Sequence, residues 1–382
     1  MDLRKLIAFG KSTYSITLPK QWVTSQGLGK GALLSVEQLV TGDLLITPRT
    51  GKRTTQKTIT INANDTTLQG LKREVIAAYV KDYDKIIIKG NLGKRRNQFR
   101  ELLHELIALE VVEENSDHII AKCFLDTSKP SLQQTIRRIY YNTKTNAQSL
   151  RSLIAQERRR TETKQSSTAN TPRGSNETNT STYESAQELI QRDIEINRQV
   201  FYLVKLVVRA LNQPIFTKTL GVSPVTAVFF WHIADCLEKI ADRTKDIASI
   251  VTKGEEDASL HQQNRNEEGQ RKSKQGQTHE ESATNKNQTR TPIPKQTSER
   301  LLEVHDMVFN LLENAMQAVF TKNVAEVNNV IEKTASLRET LVSNVRKEHH
   351  PYFTLATAHY REIVLHTRSI AERSIDLRTT ER

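Results

Sequence analysis

The stretch Phe229–Val251, FFWHIADCLEKIADRTKDIASIV, constrains this chain more than any other. Wound at about 3.6 residues per turn, it gathers Ile233, Leu237, Ile240, Thr244, Ile247 and Val251 on one side. Asp235, Glu238, Asp242 and Asp246 fall on the opposite side. The apolar stripe needs other helices to cover it. Like charges one helical turn apart repel by about 0.2–0.5 kcal/mol per pair, so the carboxylate ladder is unfavourable until a cation neutralises it. Two sources of positive charge are open: a bound metal ion, or Lys239, Arg243 and Lys245 screening an ordinary solvated face.

Part of this stretch returns near the C-terminus. KIADRTKDI at Lys239–Ile247 is echoed by SIAERSIDL at Ser369–Leu377, each closing a run of three helical segments. The first run starts at Ser131, where Leu132, Ile136, Ile139, Thr143, Ala147, Leu150 and Ile154 recur at helical spacing. It continues over Tyr183–Asn212 with Leu189, Ile196, Val200, Leu203, Val207 and Leu211, and a further helix follows Pro214. The second run covers Ser298–Thr321, Val324–Arg346 and Tyr352–Leu377. A duplicated three-helix bundle is the expected architecture. Two polar stretches, at about 160–182 and 253–297, hold too few large apolar residues for a core and read as disordered insertions. Arg368 stands where Glu238 does, one turn before Glu372, so a salt bridge competes with any metal role for Glu372 and Asp376.

The residues before the bundle divide in two. Through about residue 50 the pattern turns every few residues: Tyr14, Ile16 and Leu18 alternate with Ser15 and Thr17, Pro19 suits a helix start, and Gly27 suits its stop. So thin a β-unit should lean on a second copy, which makes it a dimerisation element. Residues 57–126 read as a small two-layer α/β domain: KTITIN, an amphipathic helix, KIIIKG, a second helix, then EVVEEN and HIIAKCFL. Gly93–Arg96 at the turn into that second helix reads as a solvated basic turn, with an anion at the helix N-terminus as the alternative.

Charge points to polyanions. The 382 residues carry a net charge of +12, with Arg4, Lys5, Lys11, Lys20 and Lys30, then Arg49, Lys52, Arg53 and Lys57, concentrated at the start. Gly10-Lys11-Ser12 is no nucleotide loop, because Lys5 stands where the motif needs glycine. Cys123 and Cys236 are too few and too far apart for a zinc site or disulfide framework. With no run of about eighteen apolar residues, a soluble cytoplasmic protein is expected. No nucleophile–base–orienter set appears, so an enzyme is not expected.

Two resemblances sharpen these readings. RKLIAFGKSTYSITLPKQWVTSQGLGKGALLSVEQLVTGDLLITP resembles the AbrB/SpoVT swapped-hairpin DNA-binding domain, in its basic first strand, Gly-basic turn, Leu-Pro-Lys and Trp-bearing helix. That resemblance implies a homodimer of interleaved hairpins, spanning about 1–50, with Arg4, Lys5, Lys11, Ser12, Tyr14 and Lys20 on or near DNA. LEKIADRTKDIA within a duplicated three-helix unit, 128–382, resembles the PhoU family of phosphate-uptake regulators. There the resemblance implies that Glu238 and Asp242, with Asp235 and Asp246 nearby, hold a divalent or ferric ion such as Fe, Zn, Mg or Mn. Together they imply a transcriptional regulator linked to phosphate homeostasis. The alternative is an adaptor that regulates a phosphate ABC transporter or a signalling kinase through protein contacts alone.

Overall fold

The computed structural model describes residues 3–38, 42–48, 56–64, 66–90, 92–125, 130–166, 175–253, 293–348 and 350–379. Among these residues, ten α-helices and eight strands divide between two units, Met1–Gln56 and Lys57–Arg382.

The first unit consists of two hairpins and a short helix. β1 (Ile7–Phe9) pairs antiparallel with β2 (Thr13–Ser15) across a turn in which Gly10 takes φ +67°, a conformation that disfavours any side chain. α1 (Lys20–Ser25) begins after Pro19, whose carbonyl accepts from Val23. It ends at Gly27, φ +64°, where Gly27 N–H donates to Thr24 and Leu28 N–H to Val23. This paired return closes the last turn and needs a residue with positive φ. β3 (Leu34–Gln38) pairs with β4 (Leu44–Pro48), setting Val36 opposite Ile46 and Leu34 opposite Pro48 on one face. No described residue of this unit is buried; Phe9 is 64 %, Val36 58 % and Leu44 66 % exposed.

The second unit opens with a four-stranded sheet. β5 (Thr58–Asn62), α2 (Leu68–Val80) and β6 (Lys85–Lys89) form a parallel crossover. α3 (Arg96–His104) leads to the hairpin β7 (Leu109–Glu114) and β8 (His118–Cys123), and the strand order is β5-β6-β8-β7. Leu71, Val75 and Tyr79 of α2 and Phe99 and Leu103 of α3 cover Ile61, Ile86, Ile88 and Ile119 of the sheet. Alternation in the strands and i, i+4 recurrence in the helices make these two layers fit. The basic turn before α3 is occupied internally: Arg95 donates to the carbonyls of Ala63 and Thr66, and Arg96 lies 3.4 Å from Glu114.

Helices make up the rest. α4 (Leu132–Ser166), α5 (Ser175–Asn212) and α7 (Pro224–Lys253) form one triplet. α8 (Lys295–Thr321), α9 (Val324–Lys347) and α10 (Pro351–Thr379) form the second. Between α5 and α7, where one helix was expected after Pro214, α6 (Pro214–Leu220) is cut off by Gly221 at φ +67°. α4 runs on to Ser166 and α5 starts at Ser175, so the backbone is helical over much of the first polar stretch, where an insertion was expected. Residues 167–174 and 254–292, with Arg49, Lys52 and Arg53, lie outside the described residues. The stripe on α7 is the centre of one large core: Ile233, Leu237, Ile240, Thr244, Ile247 and Val251 are all inaccessible. Leu211, assigned to the apolar set of α5, is instead 50 % exposed, one residue before that helix ends.

The sheet layer and the bundle share a buried ionic junction. Lys205 of α5, fully buried, donates to the carbonyl of Tyr79 at 3.0 Å and lies 3.1 Å from Asp82. Arg209, one turn later, grips both Asp82 oxygens at 2.9 and 2.7 Å. Burial would raise the Asp82 pKa, but Arg209 and Lys205 overcome it and hold the carboxyl below its ordinary range.

Candidate functional site

The carboxylate ladder of α7 lies half-buried between α5 on one side and α10 on the other. Asp235 takes the Lys239 ammonium at 2.6 Å. Lys245 bridges Asp242, 2.9 Å away, and Asp193 of α5, 2.5 Å away. Arg243 binds Asp246 at 3.1 Å and reaches Glu362 of α10 at 2.7 Å, while His359 of α10 lies 3.6 Å from Asp246. The cations that screen this face are thus its own neighbours in sequence, and they are shared with one further carboxylate from each flanking helix, Asp193 of α5 and Glu362 of α10.

Glu238 stands apart. Among the described residues it has no hydrogen-bond or ion-pair partner, and burial pushes its pKa up to about 7, helped by the charges of Asp242, Asp235 and Asp193. Burial likewise raises the Asp193 pKa despite the bound lysine. Desolvation by itself would lower the Lys245 pKa, but its two carboxylates prevail and raise it. The structure brings Glu238 and Asp242 to one face, as their spacing requires. Only Glu238 is left for an added cation, however, and among the described residues no group of three or more His, Cys, Asp or Glu is arranged to hold a metal ion. A hard cation takes several oxygen ligands at once, so these residues as arranged do not fit a ready-made metal centre.

In the second half, Arg368 donates to Glu372 at 2.9 Å and Arg373 to Asp376 at 2.5 Å, the first being the pairing their i, i+4 spacing favours. α7 and α10 pack antiparallel: residues 243 and 362, then 246 and 359, are partners, and Arg373 lies over the Phe229 ring at 5.9 Å. The repeated third helices therefore meet each other at the middle of the bundle.

A second seam joins the halves, and the motif reading above did not reach it. α4 and α8 run antiparallel, and Arg137, Lys144, Arg151 and Arg158 of α4 recur every seventh residue. Their partners recede in step along α8: the Phe320 ring at 4.1 Å, Glu313 at 2.5 Å, Asp306 at 2.7 Å and Glu299 at 3.9 Å. A seven-residue period of opposite charges on two helices is the available signal, since every seventh residue returns to the same face.

In the first unit, Arg4, Lys5, Lys11, Ser12, Tyr14 and Lys20 are all exposed. Lys11 and Ser12 sit in the β1–β2 turn, Tyr14 on β2 and Lys20 at the start of α1. Among the described residues of this unit only Glu37 and Asp43 carry negative side chains.

No protein-family model, curated protein or solved structure matches the chain. Among the described residues no helix is long and apolar enough to cross a membrane.

Proposed function

We propose that the protein is a DNA-binding transcriptional regulator, linked to phosphate homeostasis, whose N-terminal unit dimerises and binds DNA while the helical bundle senses a ligand or partner. One observation carries this reading: the first unit folds into amphipathic hairpins without burying a single described residue. Apolar faces of this kind are stable only when covered, and a second copy of the same hairpins supplies the matching surface. Pairing two copies doubles the exposed lysines into a surface suited to successive phosphates. The phosphate link rests on the PhoU-like sequence of α7 and is supported by the duplicated triplets with their third helices side by side.

Lys11→Ala/Lys20→Ala tests the proposal. On a mobility-shift titration of fragmented genomic DNA at two salt concentrations, wild type should bind, weaken steeply as salt rises, and outbind the variant by tenfold or more. Binding that is absent or indifferent to salt would favour the adaptor instead, in which the first unit only dimerises. No step of this function runs through a metal. A Glu238–Asp242 ion, which would need ligands beyond those this arrangement offers, is a separate matter, tested by metal content after chelator-free purification of wild type beside Glu238→Ala/Asp242→Ala. Equal content in both would remove that assignment.

A further inference from the structure

Between the second and third rungs of the α4–α8 seam lies a cavity of about 240 Å³, the share of about eight water molecules in the liquid. Lys144, Glu313, Arg151, Asp306 and His305 line it, and Tyr140 and Phe309 supply apolar wall. The His305 side chain is almost wholly enclosed, at 2 % exposure. Its Nδ1 lies 3.1 Å from the hydroxyl of Tyr360, itself fully buried, and among the described residues neither ring has another hydrogen-bond partner.

That pairing determines where the imidazole proton sits. Burial drives the Tyr360 pKa far above its ordinary value, so the phenol keeps its proton. Burial also pushes the His305 pKa down to about 4, so the ring is neutral near pH 7 despite Asp306 nearby, with Arg151 adding to the same effect. If His305 Nδ1 carried the hydrogen, the Tyr360 O–H would be buried with nothing to accept it. The arrangement that wastes no donor has Tyr360 O–H donating to Nδ1, which leaves the ring hydrogen on Nε2. The polar atom of His305 left for a ligand is therefore an N–H donor.

The two acids of the lining, Glu313 and Asp306, are each taken by a cation, Lys144 and Arg151. Arg151 spends Nε and Nη2 on Asp306, whose two oxygens both accept from it, so the Nη1 hydrogens stay available. The Phe309 ring lies 4.6 Å from the His305 ring, an apolar surface that favours a carbon-containing body over a bare inorganic ion.

We infer that the cavity between α4 and α8 is a binding site for a small organic carboxylate, its oxygens received by His305 Nε2–H and Arg151 and its carbon body held against Phe309 and Tyr140. Because α4 belongs to the first triplet and α8 to the second, the ligand contacts both halves of the bundle. This site is independent of the DNA-binding reading and of the α7 carboxylates.

Benzoate is a suitable probe, titrated calorimetrically into the full chain at pH 7 beside benzylamine and inorganic phosphate. Saturable benzoate binding at least tenfold tighter than either control is expected. Side-chain ¹H–¹⁵N correlation of the histidines should show one ring in the neutral Nε2–H form that moves on benzoate addition. His305→Phe/Tyr360→Phe replaces both buried partners with apolar rings of similar shape and should weaken benzoate binding tenfold or more. Failure of benzoate to saturate, equal binding of phosphate or benzylamine, or undiminished binding by the double variant would overturn the proposal. So would an Nδ1–H tautomer, or a ring that benzoate leaves unmoved; these wild-type readouts decide the matter even if the double variant does not fold.

Discussion

At the scale of single residues, the charges that matter most are those the protein encloses. Lys205 is fully buried, and among the described residues its counter-charge within 4 Å is Asp82. Asp82→Ala strands that ammonium and frees Arg209, which should destabilise the protein by about 3–5 kcal/mol in urea unfolding. Asp82→Ala/Lys205→Met should recover much of that loss, because a buried pair replaced by apolar groups is often close to neutral. Glu238 poses the reverse problem. Its folded pKa of about 7 lies above the ordinary carboxyl value, so the contribution it makes is present at low pH and is lost as pH rises from about 4.5 through 7. Glu238→Gln should therefore leave stability near pH 4 unchanged and raise it at pH 8 by about 1–2 kcal/mol, after allowance for solvent screening of a half-buried group. Unfolding curves at the two pH values check the sign.

At the scale of elements, the reading from sequence was strongest where periodicity is long. The α7 stripe was legible residue by residue because five apolar positions and Thr244 share one helical face and all six are buried. The strand and helix order of the sheet layer was also legible, since KIIIK and HIIAKC are short apolar runs bounded by turns. Less legible was the fate of the α7 carboxylates. Their spacing gives a common face, but Asp193 and Glu362, which decide how that face is neutralised, lie about 50 and 120 residues away. Lys205 was missed for the same reason: within LVKLVVRAL it reads as a helix-surface cation, and only the distant Asp82 explains its burial. The N-terminal hairpins carry their own consequence. Val36→Glu places a charge on the apolar β3–β4 face opposite Ile46 and should convert the proposed dimer to monomer, measured by light scattering at fixed concentration. A wild type that is already monomeric at micromolar concentration would sink that account.

At the scale of the whole molecule, two seams hold the triplets together: α7 against α10 through the core, and α4 against α8 along its charged ladder. Cutting the peptide chain anywhere within 254–292 should therefore leave two fragments that co-migrate on size exclusion at moderate salt. A protease site placed there, cleaved under native conditions, provides the measurement; separation without denaturant would contradict it. The ladder also limits how the halves can move. Its rungs recur every seven residues, so sliding α8 along α4 by one helical turn moves each cation from beside its partner to about midway between rung positions. Full pairing returns only after a displacement of about 10.5 Å, at 1.5 Å per residue, far more than a packed core tolerates. The two triplets are keyed against translation. Tilt or twist about the seam, with the rungs as pivot, is the relative motion of the triplets that this keying leaves open.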